Sequence, residues 1–86
     1  MVAAAGQARS PQERIDEGAA LAAKLRDEAD RLSAAAKTAM TFPVQGPAER
    51  RLRDKEVRSA RASVVRLRRQ ARELDLDVER LGSTAT

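Results

Sequence analysis

Eight apolar residues at alternating steps of three and four constrain this chain more than any other feature: Val57, Ala60, Val64, Leu67, Ala71, Leu74, Val78 and Leu81. That spacing holds all of them on one face of an α-helix and scatters them over both faces of a strand. Sustained over several heptads, it is the a/d seam of a coiled coil. The first half of the chain keeps the same spacing with smaller side chains: Ile15, Gly18, Ala22, Leu25, Ala29, Leu32, Ala36 and Ala39. A seam of small residues lets a facing helix come close. Gly18 in mid-helix costs about 1 kcal/mol relative to alanine unless that close approach requires it.

Local punctuation divides the chain between these two seams. Ser10-Pro11-Gln12-Glu13 reads as a capping box with proline at the first helical position. Gly46-Pro47-Ala48-Glu49 repeats the logic with a weaker glycine cap. Between them, Pro43 pushes Phe42 out of the helical region, and Thr41–Gly46 reads as a break. Gly82, followed by Ser83-Thr84-Ala85-Thr86, reads as a helix stop with a frayed end. The expected organisation is a flexible arm over 1–10, a helical hairpin over 11–82 and a disordered tail over 83–86. Within the hairpin, helices are expected over 11–40 and 47–81, joined by a loop over 41–46.

A short loop makes the two helices antiparallel neighbours. The fold class that follows is all-α, a two-helix antiparallel coiled-coil hairpin. Pairing small residues with large ones gives the layers Ile15/Leu74, Gly18/Ala71, Ala22/Leu67, Leu25/Val64, Ala29/Ala60 and Leu32/Val57. In that register Val78 and Leu81 run past the Ser10 cap, bare unless the N-terminal arm or another molecule covers them. With 86 residues the chain is one domain at most, and Phe42 is its only aromatic residue. Alanine buries little area, so such a hairpin is expected to complete its core by self-association or on a partner. Leu21, Met40, Phe42, Val44, Leu52, Val65 and Leu76 lie off the seam. Leu21 and Val65 would widen the apolar faces enough for a four-helix contact. Phe42-Pro43-Val44 reads either as a plug over the last helical turns or as a docking knob.

Charge is unevenly spread. The first helix is near balance, whereas Arg50, Arg51, Arg53, Lys55, Arg58, Arg61, Arg66, Arg68, Arg69 and Arg72 face only Asp54 and Glu56 within their stretch. The second helix then turns acidic at Glu73, Asp75, Asp77 and Glu79. The register above brings Arg14 to Asp77 but places Arg26 near Arg61 and Ala19 near Arg68. Most of the arginines are thus expected to lack an acid within the chain. With a net charge of +4, the bland reading is a solvated face; the functional one is an acidic partner. Arginine's planar fork suits carboxylate and phosphate alike. No Tyr or Trp interleaves with these residues, so a nucleic-acid contact would be phosphate-led and sequence-independent.

The chain has no Cys and no His, which removes thiolate and imidazole chemistry and leaves no cofactor or metal set to propose. No segment approaches the roughly 20 apolar residues of a membrane span, and Met1–Ser10 lacks the pattern of a signal peptide. A cytoplasmic location with no membrane partner is expected. Arg9, Arg26 and Lys37, with Asp16 and Pro43-Val44, fall at spacings similar to those of the small helical chorismate mutases. That resemblance implies cationic side chains holding a dicarboxylate substrate. It covers the first half at most, and the sequence departs from the pattern at several points. Glu49-Arg50 reverses an Arg-Glu pair, alanines replace large aliphatics, Pro11 falls inside the first helix, and one unbroken seam stands where a third helix is needed. The leading expectation is a non-enzymatic interaction module, an adaptor or small assembly subunit without catalytic residues. Ile15, Leu25, Leu32, Val57, Val64, Leu67 and Leu74 form its seam, and Arg58, Arg61, Arg66, Arg68, Arg69, Arg72, Phe42 and Val44 meet a protein partner or a second copy. The alternative is a phosphate-backbone binder using the same arginines.

Overall fold

A computed structural model describes residues 10–85 and consists of two helices, α1 (Pro11–Thr41) and α2 (Pro47–Ala85), packed side by side as a hairpin. The molecule measures 63 × 29 × 14 Å with a radius of gyration of 19.3 Å. A compact chain of this length would have a radius of gyration of about 12 Å. A thickness close to one helix diameter means that the hairpin is a single layer, with two broad faces open.

Ser10 starts α1 as the sequence indicates. Its backbone is extended, its Oγ accepts from the Glu13 N–H at 3.1 Å, and its carbonyl accepts from the Arg14 N–H at 3.1 Å. At α2 the glycine cap offers no side-chain oxygen, and the carboxylate closes the motif instead. Glu49 Oε2 accepts from the Gln45 N–H at 2.9 Å, and the Gly46 carbonyl from the Arg50 N–H at 3.0 Å. Phe42 ends α1 in an extended conformation, φ −72° and ψ 137°, as the proline after it dictates. The expected stop at Gly82 is not used. A glycine stop needs the left-handed region, no described glycine has positive φ, and α2 continues to Ala85. No proline follows to halt it, and each further residue adds a helical hydrogen bond. The tail expected over 83–86 is therefore helical as far as Ala85, while Thr86 and arm residues 1–9 lie outside the described residues.

The register differs from the expected one by a heptad. A Cβ built on Gly18 would lie 2.8 Å from Val78 Cγ2, so Gly18 faces Val78 and not Ala71. Stepping by threes and fours from that contact gives Ile15/Leu81, Ala22/Leu74, Leu25/Ala71, Ala29/Leu67, Leu32/Val64, Ala36/Ala60 and Ala39/Val57. The grouping of Gly18 with Leu74 and Leu81, and of Ala36 and Ala39 with Val57 and Ala60, agrees. Val78 and Leu81 consequently lie against α1 and do not run past Ser10. The loop explains the shift. Fully extended, Phe42–Gly46 would reach at most roughly 16 Å, at about 3.3 Å per residue. It climbs beside Pro47–Asp54, whose rise of about 1.5 Å per residue amounts to roughly 12 Å. Thr41 thereby comes level with Lys55.

This register decides which residues are buried. Ala22 and Ala29 are fully buried and Ala71 is 1% exposed, each opposite a leucine of the other helix. Ala36, Val57 and Val64 complete the buried set. Among the described residues no large side chain is fully buried. Ile15, Leu25, Leu32, Leu67, Leu74 and Leu81 are each only half-buried, because two helices alone cannot enclose a large side chain on their seam, whether it lies over an alanine, as Leu25, Leu67 and Leu74 do, or over another large residue.

Candidate functional site

The hairpin has two long flanks, one on each side of the seam. Leu21 and Ala35 of α1, fourteen positions apart, share a heptad position, as do Glu56 and Asp77 of α2. They mark one flank, whose open end forms a hollow over Gly18, Leu21, Leu74, Val78 and Leu81, rimmed by Arg14, Glu17 and Asp77. Arg14 and Asp77, expected to meet, both rim this hollow, but the ion pair of Asp77 is with Arg80 of its own helix, at 3.6 Å. Nearer the loop the same flank is floored by Ala35, Ala36, Ala39, Val57 and Ala60.

The opposite flank carries the charge. Arg26 makes an ion pair with Asp75, and Arg68 reaches Asp30 Oδ1 at 3.4 Å. Arg72 lines the hollow that these four residues share. The sequence placed Arg26 beside Arg61 and left Arg68 without an acid; the heptad shift overturns both expectations by carrying the acidic end of α2 back along α1. Arg66 donates to Ser63 Oγ at 3.3 Å and Arg53 pairs with Asp54 at 3.2 Å. Arg58, Arg61 and Arg69 are exposed and form no ion pair among the described residues. From Arg31 to Thr41, α1 has no carboxylate. That is the stretch the register sets level with Arg58 and Arg61.

Beside the paired residues, on this flank, lies a second hollow of about 230 Å³. Ala36, Val64 and Val65 form its apolar part, Lys37, Arg61 and Arg68 its cationic rim, and Ser33 completes it. Val65 is 58% exposed. Leu21 and Val65, each expected to widen an apolar face, lie on opposite flanks. At the tip, Phe42 is 63% exposed, so it does not plug the last helical turns. Val44 is half-buried and lies with Pro47, Arg50, Arg51 and Asp54.

Neither a metal-holding group of three or more His, Cys, Asp or Glu residues nor a helix long and apolar enough to cross a membrane occurs among the described residues. Of the cationic residues in the chorismate mutase resemblance, Arg9 lies outside the described residues and Arg26 is engaged by Asp75. Lys37 lies about 16 Å further along α1 than Arg26, at about 1.5 Å per residue, and α2 runs unbroken where a third helix would begin. No family of proteins, curated protein or solved structure matches the chain.

Proposed function

We propose that this chain is a non-enzymatic helical interaction module, an adaptor or small assembly subunit of the cytoplasm, that completes its core against a protein partner or a second copy of itself. One observation carries the reading: six seam residues, Ile15, Leu25, Leu32, Leu67, Leu74 and Leu81, are each left half-buried by the hairpin alone. A single core in a chain this short rarely supplies more than about 3–5 kcal/mol. Here the fully covered positions are held by alanine and valine, which contribute less area than leucine or phenylalanine. A third or fourth helix over either flank would convert half-buried leucines into buried ones. Each would gain a fraction of the roughly 1.5–3 kcal/mol of a fully buried large side chain.

The test is thermal unfolding by far-UV circular dichroism over about a hundredfold range of protein concentration, with the mass measured by light scattering at each point. The isolated hairpin is expected to melt broadly at low concentration. Where a second copy is the partner, it is expected to melt higher and more sharply as the mass increases. A monomer that melts cooperatively and at one high temperature throughout overturns the reading, because such a hairpin has no core left to complete.

A further inference from the structure

We infer that the Arg61 flank receives an acidic amphipathic helix of a partner protein, seated with its apolar residues on Val65 and its carboxylates on the surrounding cations. The inference rests on the interaction-module reading and names the partner's chemistry.

Three observations converge on this stretch of the hairpin. The first is a charge imbalance that the fold leaves in place. Arg26, Arg53, Arg68 and Arg80 all have carboxylate partners within the chain, whereas Arg58, Arg61 and Arg69 have none among the described residues. α1 offers no acid between Arg31 and Thr41, the segment alongside Arg58 and Arg61; Arg69 is unpaired although Glu73 lies four residues on, and Arg31, Arg66 and Arg72 likewise form no ion pair among the described residues. Like charges gathered in this way disfavour the free hairpin and are relieved by an incoming acid.

The second observation is the apolar centre. Val65 stands at i+4 from Arg61 and i−4 from Arg69, with Arg58 one heptad before it, so three unpaired cations surround a valine that is 58% exposed. Val64 and Ala36 extend this apolar ground into the hollow that Lys37 rims. A phosphate backbone has nothing apolar to set over a valine, and no aromatic side chain on this flank offers a base a stacking surface. A helix bearing leucine on one stripe and glutamate beside it satisfies both requirements.

The third is shape. Both helices run uninterrupted past the hollow, and the molecule is one helix thick. A further helix can therefore lie along the groove, held by ridges in grooves, as a neighbour in a bundle would be.

The test uses the full chain and three fluorescent probes read by anisotropy. One is an acidic peptide of about 20 residues with leucines at alternating steps of three and four. The others are the same peptide with serine for leucine, and a DNA duplex. At near-physiological salt the leucine peptide should bind tightest. Arg61→Glu should weaken it by about tenfold or more, while Lys24→Glu, of equal charge change but away from the hollow, should change it less than about threefold. Val65→Ser should weaken the leucine peptide alone, by roughly threefold to tenfold. Both substituted residues on the flank are exposed, and retained helical dichroism shows that each variant is folded. Equal binding of the leucine and serine peptides overturns the inference, as does indifference to Val65→Ser or absence of peptide binding. Tighter binding of the duplex, falling steeply with salt, overturns it in favour of a nucleic-acid surface. If concentration-dependent melting persists while the peptides fail, this inference falls and the interaction-module reading stands. If the melting is also independent of concentration, both fall.

Discussion

The contact between Gly18 and Val78 yields the sharpest prediction, because it tests the register and the energetics together. Alanine in place of a mid-helix glycine normally stabilises by about 1 kcal/mol, through lower entropy of the unfolded chain. Here the new methyl would lie 2.8 Å from Val78 Cγ2. Valine in a helix has one strongly preferred rotamer, so it cannot easily turn aside, and α1 and α2 must separate locally or accept strain. Overfilling of this kind costs about 1–3 kcal/mol. The two terms oppose each other, and Gly18→Ala alone should therefore range from neutral to about 2 kcal/mol destabilising. In a Val78→Ala background the obstruction is gone, and the same substitution should stabilise by about 1 kcal/mol. The coupling between the two sites is then about 1–3 kcal/mol, well above the roughly 0.5 kcal/mol scatter of independent sites. Urea unfolding of the four proteins at one fixed concentration measures it. Additivity between Gly18 and Val78, or coupling of Gly18 to Ala71 instead, would refute the register and with it the placement of every charged residue along the flanks.

Two further outcomes follow from burial. Val64 is 7% exposed and its neighbour Val65 58% exposed. Val64→Asp buries an unpaired charge worth several kcal/mol and should abolish the helical dichroism of so small a fold, whereas Val65→Asp should leave it intact; identical behaviour of the two variants would contradict the seam. The Arg26–Asp75 pair is about half exposed, with side-chain exposures of 48% and 42%. Asp75→Asn should cost about 0.2–1 kcal/mol at low salt and almost nothing at about 1 M salt. A loss that survives high salt would mean that the contact holds the helices by something other than charge.

The two helices, their caps and the break at Pro43 were legible because each rests on residues within a few positions of one another. Ser10 and Glu13, Phe42 and Pro43, and the seam steps themselves are local features whose physics needs no knowledge of the partner helix. The helix stop at Gly82 was misread for the same reason. Glycine permits a left-handed cap but does not impose one, and Ser83 and Ala85 are compatible with another turn. The half-buried leucines had a sequence signal, since an alanine seam opposite a leucine seam cannot enclose the leucines. The exposure of Phe42, by contrast, depends on the path of the loop.

The register was beyond sequence reasoning for a different cause, and it bears directly on function. A heptad seam maps onto itself when one helix slides by seven residues, so apolar pattern alone cannot choose between the alternatives. What distinguishes them is the path of the loop, which brings Val44 beside Pro47, Arg50, Arg51 and Asp54, and the fit of Val78 over Gly18. Sliding α2 by that one heptad redistributes the charge. Asp75 moves from beside the Ser10 end to Arg26, and Asp30 becomes available to Arg68. The acid-free stretch from Arg31 to Thr41 comes to rest alongside Arg58 and Arg61. In the register expected from the sequence that stretch would have lain beside Ala48–Arg58, nearer the tip and away from Arg61 and Val65. The surplus of arginine can be read from the chain, but its coincidence with an exposed valine arises only when the helices meet. It is on that coincidence, and not on the basic helix alone, that the proposal of an acidic amphipathic partner rests.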